Sequence, residues 1–152
     1  MLRLSRKTLF AIEAVLDIAY HAGSEPVQSG EITRRQGIPR RYLEQALQSL
    51  VREGVLVGVR GPRGGYRLAR ERRRISVGEI VRVVHRIEAA EEAAVEEDAG
   101  SPLAIKVVRP LWAEIHETVM ERLDGLSIDD LCAKANAAGV VSEGRKSLDF
   151  SI

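Results

Sequence analysis

The fold is decided by the stretch Val59-Arg60-Gly61-Pro62-Arg63-Gly64-Gly65-Tyr66-Arg67-Leu68-Ala69. Its glycines and its proline permit tight turns. Apolar residues alternate with others over residues 55–59 and again over residues 66–68, which is the pattern of two short strands. The sequence therefore predicts a two-stranded hairpin with a glycine-rich tip flanked by arginines.

A pair of helices is predicted directly before this hairpin. One fits Ser29 to Gln36, with Gly37 where helices commonly end on a left-handed residue. The other starts at Pro39, whose fixed φ suits a first helical turn, and runs to about Glu53. A turn of about four residues that contains Gly is the spacing of a helix-turn-helix. The inner face of the second helix of the pair comprises Leu43, Ala46, Leu47, Leu50 and Val51.

Further helices are predicted on both sides of this region. Ser5 can cap a first helix, which ends near Gly23. Capping boxes over residues 76–79 and 127–130 place two more helix starts at about residues 77 and 128. The apolar face of the first helix comprises Leu9, Ile12, Val15, Leu16, Ala19 and Tyr20.

A long helix is predicted between the two capping boxes. It starts at Ser101-Pro102 and stops at Asp124-Gly125, and Pro110 either kinks it or marks its true beginning. Residues 88–100, before it, are acidic and rich in Ala; they form either a frayed helix or a solvated loop. The helix carries an apolar stripe, which must be buried somewhere: Val108, Leu111, Trp112, Ile115, Val119 and Leu123.

The chain has 152 residues, 45% of them hydrophobic, which is the size of one compact domain or one and a half. We expect a head over residues 1–87, an acidic linker over 88–101, an arm over 102–139 and a flexible tail over 140–152. The lone Cys132 cannot form an internal disulfide, which fits a reducing cytosol. Apolar runs shorter than the about 18 residues of a membrane span, and the lack of a signal-peptide pattern over residues 1–7, favour a cytoplasmic protein without a membrane partner.

Charge is distributed unevenly along the chain. Residues 1–76 carry 15 Lys and Arg against 7 Asp and Glu, and residues 77–152 carry 8 against 15. Such an asymmetry suggests that the basic half meets a polyanion. Clustering of solvated charges is the alternative explanation.

The outer face of the helix that starts at Pro39 carries side chains that can contact DNA bases and phosphates. Arg41, Glu44, Gln45, Gln48 and Arg52 lie opposite its apolar face, and Arg40 and Tyr42 lie at its N-terminal end. Arg can pair with guanine, Gln with adenine, and Glu can accept from cytosine, in the major groove that admits a helix. A merely solvated face is the alternative, and the neighbouring hairpin argues against it.

The hairpin tip is suited to a minor groove. Arg60, Arg63 and Arg67 place positive charge around a slim loop, and narrow A·T-rich grooves concentrate negative potential. Residues 70 and 72–74 are also Arg and extend this basic strip. No Gly-Lys-Ser/Thr follows the glycines, so the loop does not match a nucleotide-binding loop. The DNA-contacting residues expected are Arg40, Arg41, Tyr42, Glu44, Gln45, Gln48, Arg60, Gly61, Arg63 and Gly64.

Three motifs together resemble the Rrf2 family of bacterial winged-helix transcription regulators. They are Tyr42-Leu43-Glu44-Gln45, the hairpin stretch of residues 59–69, and Ile75-Ser76-Val77-Gly78-Glu79-Ile80, and the resemblance spans about residues 2–131. It implies a mainly α fold with a small β-hairpin wing, that is, a winged helix-turn-helix head plus a long dimerisation helix at about residues 103–123. It also implies a homodimer on a palindromic operator in double-stranded DNA, with Glu44 tuning operator choice and Arg60 reaching the minor groove.

The sequence departs from this family in two places. Arg63 stands where the family's wing usually has Gly. Many relatives hold an iron-sulfur cluster on three cysteines, but residues 88–110 contain no Cys, and Lys106 and Arg109 occupy the positions that match a cysteine and a histidine ligand. His21, His85 and His116 fall on separate helices without ligand spacing, and Cys132 is interpreted as a small buried hydrophobe rather than a reactive thiol. We therefore expect no cofactor and no metal site.

The function expected is that of a dimeric, sequence-specific DNA-binding regulator. The family resemblance implies that it is a repressor. The alternative is a protein-interaction regulator controlled by a docking partner such as a metabolic enzyme, with the acidic stretch 88–98 or the tail as its surface. No Ser/His/Asp set, carboxylate pair or cofactor motif stands at catalytic spacing, so we do not expect an enzyme.

Overall fold

The structure, a computed structural model, describes residues 5–91 and 100–144. Over these residues the chain is mostly helical with one two-stranded antiparallel sheet, and none of the described helices is both long and apolar enough to span a bilayer. The mainly α fold with a small hairpin is therefore confirmed. The elements are α1 (Arg6–Tyr20), α2 (Ser29–Gln36), α3 (Arg40–Arg52), β1 (Leu56–Val59), β2 (Gly65–Leu68), α4 (Val77–Glu91), α5 (Arg109–Asp124) and α6 (Ile128–Ala137).

Local sequence signals set the ends of the first three helices. The Ser5 hydroxyl accepts a hydrogen bond from the Thr8 amide at the start of α1, as the capping pattern predicts. Gly37 ends α2 with a φ of 67°, a left-handed conformation that glycine adopts without steric cost. Pro39 immediately precedes α3 as its cap residue, one position earlier than the first-turn location that we predicted.

The head is built around α1, whose buried face differs in part from the prediction. The predicted Val15 and Ala19 are buried, but Leu9 is 48% exposed. Ala11 and Ala14 are buried instead, and their small side chains allow neighbouring helices to approach closely. On α3 the predicted inner residues are buried except Val51, which is 36% exposed at the last turn. The buried core of the head comprises Val15, Ile18, Ile32, Ile38, Leu43, Leu47, Leu50, Val55, Leu56, Ile75 and Ile80.

The wing is a hairpin in which Leu56 pairs with Leu68 and Val59 pairs with Gly65. Val27, from the segment before α2, exchanges two backbone hydrogen bonds with Tyr66, at 3.0 and 2.8 Å. This pairing brings the Val27 backbone so close to Gly65 that a side chain there would collide with it. The wing is thereby attached to the entrance of the helix-turn-helix.

The starts of α4 and α6 lie side by side, where the sequence predicted them. Val77 donates its amide to the Leu126 carbonyl at 2.8 Å, and Ile128 donates to the Ile75 carbonyl at 2.9 Å. At α6 both hydrogen bonds of the capping box between Ser127 and Asp130 are present. At α4 only the Ser76 hydroxyl caps, because the Glu79 carboxylate is engaged by Arg70.

Helical turns run without interruption from residue 102 to Asp124. Ser101 caps this helix by accepting from the Ala104 amide, as predicted. Pro110 lies in the first turn of α5, which begins at Arg109, so the predicted beginning of the α-helix at this proline is correct to within one residue. The turn before it, Ala104–Val108, is widened, and Arg109 donates its amide to the carbonyl of Ala104, five residues back. The wider turn accommodates the proline ring, which lacks an N–H group and crowds the preceding turn.

The end of the described chain folds back onto α1. The Tyr20 hydroxyl donates to the Val140 carbonyl, and the Ser142 hydroxyl donates to the Tyr20 carbonyl at 2.7 Å. The Glu143 amide donates to Nδ1 of His21 at 3.0 Å. The flexible tail predicted over residues 140–152 therefore does not begin at residue 140, since long-range contacts that a sequence pattern does not reveal hold residues 140–144. Residues 145–152 lie outside the described residues, as do residues 92–99 of the predicted acidic linker; its first residues, 88–91, are the last turn of α4.

Candidate nucleic-acid interface

The outer face of α3 presents a row of polar side chains to solvent. Leu43, Leu47 and Leu50 hold the helix in the core, so the opposite side faces outward. Every member of the row is exposed: Arg40, Arg41, Glu44, Gln45, Gln48 and Arg52. Nε of Arg40 lies 3.2 Å from Oε1 of Glu44, one turn further along. Among the described residues, the side chains of Arg41, Gln45 and Gln48 have no hydrogen-bond or ion-pair partner and are available to a ligand.

Tyr42, which we also predicted to contact DNA, is placed differently. It is half-buried, and its hydroxyl donates to the Lys7 carbonyl at 2.6 Å. Its ring packs against Phe10 with centroids 6.0 Å apart, and the Lys7 ammonium lies 5.9 Å from the ring centroid. These contacts fix the first turn of α3 on α1, and the hydroxyl proton is already used.

An ion pair between α1 and α2, which sequence reasoning missed, holds the helix-turn-helix in place. Arg35 makes two hydrogen bonds to the Asp17 carboxylate, at 2.9 and 2.8 Å, and Gln36 adds a third at 2.8 Å. The hydrogen bond to Asp17 raises the pKa of Arg35, so this side chain stays charged. The available signal was the presence of Asp17 between Leu16 and Ile18 on an otherwise apolar helix face, because a carboxylate at such a position needs a charged partner.

The wing tip presents arginines beside this helix pair. Gly61 has a φ of 111°, and the Gly64 amide closes the loop on the Gly61 carbonyl at 2.9 Å. Arg60 is exposed, with no ion-pair partner among the residues that the structure describes. Arg63 is exposed, with Nη1 3.4 Å from Oε1 of Glu25. Arg67 does not project freely, because it donates to the Ser24 carbonyl at 3.0 Å.

The basic strip predicted after the wing is largely neutralised. Arg70 pairs with Glu79, Arg72 with Asp129 and Arg73 with Glu71, at 2.5 to 2.7 Å. Glu79 and Asp129 come from α4 and α6, so a count of charges along the first half of the chain could not reveal them. The unpaired positive charge of this region is therefore concentrated on the α3 face and the wing tip rather than on the strip.

Comparison with known proteins decides the family. A family model described as "Rrf2: Iron-dependent Transcriptional regulator" matches residues 4–134. The chain belongs to the Rrf2 family. It is 33% identical over 152 residues to the HTH-type transcriptional regulator IscR of Aliivibrio salmonicida (strain LFI1238), a match that covers 99% of this chain and 88% of that one.

Solved structures agree with this membership. The structure of T. potens IscR superimposes with a TM-score of 0.71 at 33% identity and covers 93% of both chains. CymR, described as the global cysteine regulator of B. subtilis, gives a TM-score of 0.67 at 30% identity and covers 88% of this chain and 98% of its own. The winged-helix fold and the family resemblance are confirmed, and the protein belongs with transcriptional regulators rather than with enzymes.

The arm of this Rrf2 protein carries an apolar surface that nothing in the described chain covers. Val108, Leu111, Trp112 and Ile115, all predicted for dimerisation, are 58%, 53%, 39% and 38% exposed. Two other members of the predicted set, Val119 and Leu123, are half-buried, and Leu123 packs against the cluster of Val77, Val81 and Met120 within the chain. The preceding turns continue the apolar surface with Leu103, Ile105 and Val107, which are also exposed.

The residues of this chain do not fit the iron-sulfur cluster that the resemblance to the family implies. Clusters are held mainly by thiolates, and the sequence contains one cysteine. Cys132 lies on α6, where burial raises the pKa of its thiol and so disfavours the thiolate that a metal requires. Lys106 and Arg109, which the family resemblance places at ligand positions, are both cations. Among the described residues, no group of three or more His, Cys, Asp or Glu side chains is arranged to hold a metal ion.

Proposed function

We propose that this Rrf2-family protein is a dimeric, sequence-specific DNA-binding repressor that acts in the cytoplasm without an iron-sulfur cluster. The observation that carries the proposal is the row of exposed, largely unpartnered side chains on α3 next to an arginine-tipped wing. A helix so placed fits the major groove, and the wing fits the neighbouring minor groove.

Base reading is assigned to α3. Arg41 can make a bidentate pair with guanine, and Gln45 and Gln48 can pair with adenine. Glu44 can accept from cytosine, and its proximity to Arg40 means that binding must rearrange that ion pair. Because Tyr42 uses its hydroxyl within the head, its role here is to position α3 and not to contact a base.

Backbone and groove contacts are assigned to the wing. Arg60 has no competing partner in the described chain, and Arg63 has only an exposed one, so both can turn to phosphates or to a narrow minor groove. Gly61 and Gly64 keep the tip slim, because neither carries a side chain between the arginines and the duplex.

The dimer is proposed from the arm. Three apolar side chains on α5, together with Val108 directly before it, are at least 38% exposed, a patch that soluble monomers rarely leave uncovered. Burial against the same patch of a second copy gives a two-fold axis, since an isologous interface is symmetric. Two heads related by such an axis fit a palindrome whose half-sites are about 10 base pairs, or a multiple of that, apart.

The alternative, control by a docking protein, concerns the acidic stretch 88–98 and the tail. Residues 92–98 of that stretch, and residues 145–152 of the tail, lie outside the described residues. A partner that docks there is compatible with DNA binding by the head, so the two functions are separated by measuring operator affinity with and without the partner.

The proposal is tested by selecting sites from random double-stranded DNA with the full chain. The expected result is a palindromic consensus that the protein binds at least about a thousandfold more tightly than bulk genomic fragments at moderate salt. The same protein, assayed anaerobically for iron after purification, should contain none. A protein that shows no preference above bulk DNA would overturn the assignment of DNA reading, and stoichiometric iron would overturn the cluster-free assignment.

A further inference from the structure

Helices α4 and α5 pack against each other in an antiparallel pair that joins the head to the arm. At one end, Gly78 lies directly against Asp124, with no space for a side chain at position 78. One turn along, Arg82 makes two hydrogen bonds to the Asp124 carboxylate, at 2.6 and 2.7 Å. Val81 and Met120 form an apolar layer at the same level.

The next layer of this pair is formed by two histidines. The rings of His85 on α4 and His116 on α5 have centroids 5.6 Å apart and planes inclined by 35°. The sequence placed these residues on separate helices without ligand spacing; antiparallel packing brings them together nevertheless. Spacing along the chain does not reveal a pair whose members are 31 positions apart.

Each ring has a buried nitrogen that lacks a partner. Nε2 of His85 and Nδ1 of His116 are inaccessible to solvent, and neither makes a hydrogen bond within the described residues. A buried polar atom without a partner costs free energy and calls for an explanation. A single ligand that accepts a lone pair from each ring would satisfy both atoms.

We propose that His85 and His116 form a binding site for a divalent transition-metal ion with the ligand preferences of Zn²⁺. Imidazole nitrogen is a preferred donor for Zn²⁺, Ni²⁺ and Cu²⁺, and a poor one for Mg²⁺. With metal–nitrogen distances of about 2.0–2.1 Å, two imidazoles on one ion place their ring centroids about 5–6 Å apart. The observed separation of 5.6 Å lies within this range.

Burial and charges of both signs act on His85. Burial lowers the pKa of His85, so its ring is neutral and able to bind a metal at pH 7. The nearby Glu88 carboxylate acts to raise the pKa of His85. Arg82 acts to lower it, although its charge is paired with that of Asp124. In the described chain these two imidazoles are the protein ligands, with no third one beside them.

An ion at this site would join α4 to α5. It would stabilise the folded chain by mass action, because the unfolded chain does not hold the two imidazoles together. The site is independent of the cluster positions at the start of the arm, and it does not depend on DNA binding or on dimer formation.

The test uses the tag-free full chain, stripped of metal with a chelator. Zn²⁺ is titrated in by calorimetry, with Mg²⁺ as the comparison ion, and thermal unfolding is recorded at each step. The expected result is one Zn²⁺ per chain, a Tm that rises with Zn²⁺ concentration, and no response to Mg²⁺.

Variants identify the ligands. His85→Leu and His116→Leu should each abolish Zn²⁺ binding at concentrations that saturate the parent. In the absence of metal they should unfold at or above the parent's Tm, because each removes an unpartnered buried nitrogen. His21→Leu, which changes the remaining histidine, and Cys132→Ala should retain binding. A parent that does not bind Zn²⁺, or His85→Leu and His116→Leu variants that bind as the parent does, would overturn the proposal.

Discussion

Asp17 on α1 and Arg35 on α2 form a bidentate ion pair from which water is almost excluded. The Asp17 side chain is 0% exposed and the Arg35 side chain 8%. Gln36 donates a third hydrogen bond to the same carboxylate. The pair connects the first helix of the helix-turn-helix to the central helix of the head, so it fixes the helix pair that carries the proposed DNA-contacting face.

Replacing Asp17 by Ala should destabilise the head strongly. The substitution leaves the Arg35 guanidinium buried with only the more exposed Glu143 as a partner, and removing one member of a buried pair typically costs about 3–5 kcal/mol. Urea unfolding followed by circular dichroism measures the loss. Arg34→Ala is the matched control, because Arg34 also pairs with Glu143 but is 61% exposed; its effect should stay within about 1 kcal/mol. Equal effects of the two substitutions would contradict the structural role of the buried pair.

Replacing Arg41 or Gln45 by Ala should relax the choice of bases rather than weaken all binding equally. Neither side chain has a partner in the described chain, so truncation leaves the head intact and removes a base contact worth about 1–3 kcal/mol. Competition between the selected operator and single-base variants measures the preference. Lys134→Ala on α6 changes an exposed cation away from the interface and serves as the control. An unchanged base preference would show that the substituted residue does not contact a base.

Local signals in the sequence were sufficient to locate the elements and the exposed polar face of α3. Ser5, Gly37 and Ser127 act at helix ends through hydrogen bonds or backbone conformations that span only a few residues. The α3 face followed from helical periodicity, because burial of Leu43, Leu47 and Leu50 determines which side chains point outward. Such information is contained in neighbouring residues, so one sequence reveals it.

Contacts between distant residues were not predictable in this way. Asp17 with Arg35, Arg72 with Asp129 and the two clustered histidines each join segments that only the packed helices bring together. The neutralisation of the arginines after the wing and the return of residues 140–144 to α1 have the same origin. Charge counts and ligand spacings measure separation along the chain, whereas these interactions depend on separation in space.

Replacing Arg60 by Ala should weaken binding to most DNA sequences and reduce its salt dependence. If Arg60 contacts one phosphate, the slope of log K against log salt should become shallower by about one unit. Affinities measured at several salt concentrations give the slope. Arg73→Ala is the matched control, since Arg73 is exposed but already paired with Glu71. A slope equal to the parent's would argue against contact between the wing and the phosphates.

Acidification should destabilise the contact between residue 143 and α1. Burial lowers the pKa of His21 below its usual value of 6.5, although Asp17 and Glu143 act in the opposite direction. In the folded state the neutral ring accepts the Glu143 amide at Nδ1, and a protonated ring cannot. Because the unfolded chain binds the proton more readily, this contribution to stability is complete above about pH 6.5 and declines as the pH falls toward the folded-state pKa.

Urea unfolding in chelator between pH 7.5 and 5.5 measures this effect. The free energy of unfolding of the parent should fall with pH more steeply than that of His21→Asn. His85, whose pKa burial also lowers, contributes a slope of the same sign that both proteins retain. Parallel curves would show that the His21 contact does not respond to protonation.

Replacing Leu111 by Lys should convert the proposed dimer to monomers. Leu111 is 53% exposed in the single chain, and in a symmetric dimer it occurs twice in the interface. Losing about 1.5 kcal/mol of burial from each copy weakens association by at least about a hundredfold, before the cost of burying two charges is added. Sedimentation at micromolar protein measures the state. Glu121→Lys introduces the same side chain at another exposed position of α5, away from the apolar stripe, and should remain dimeric. If Leu111→Lys were still dimeric, the interface would have to lie elsewhere, and the operator geometry proposed from the arm would fail with it.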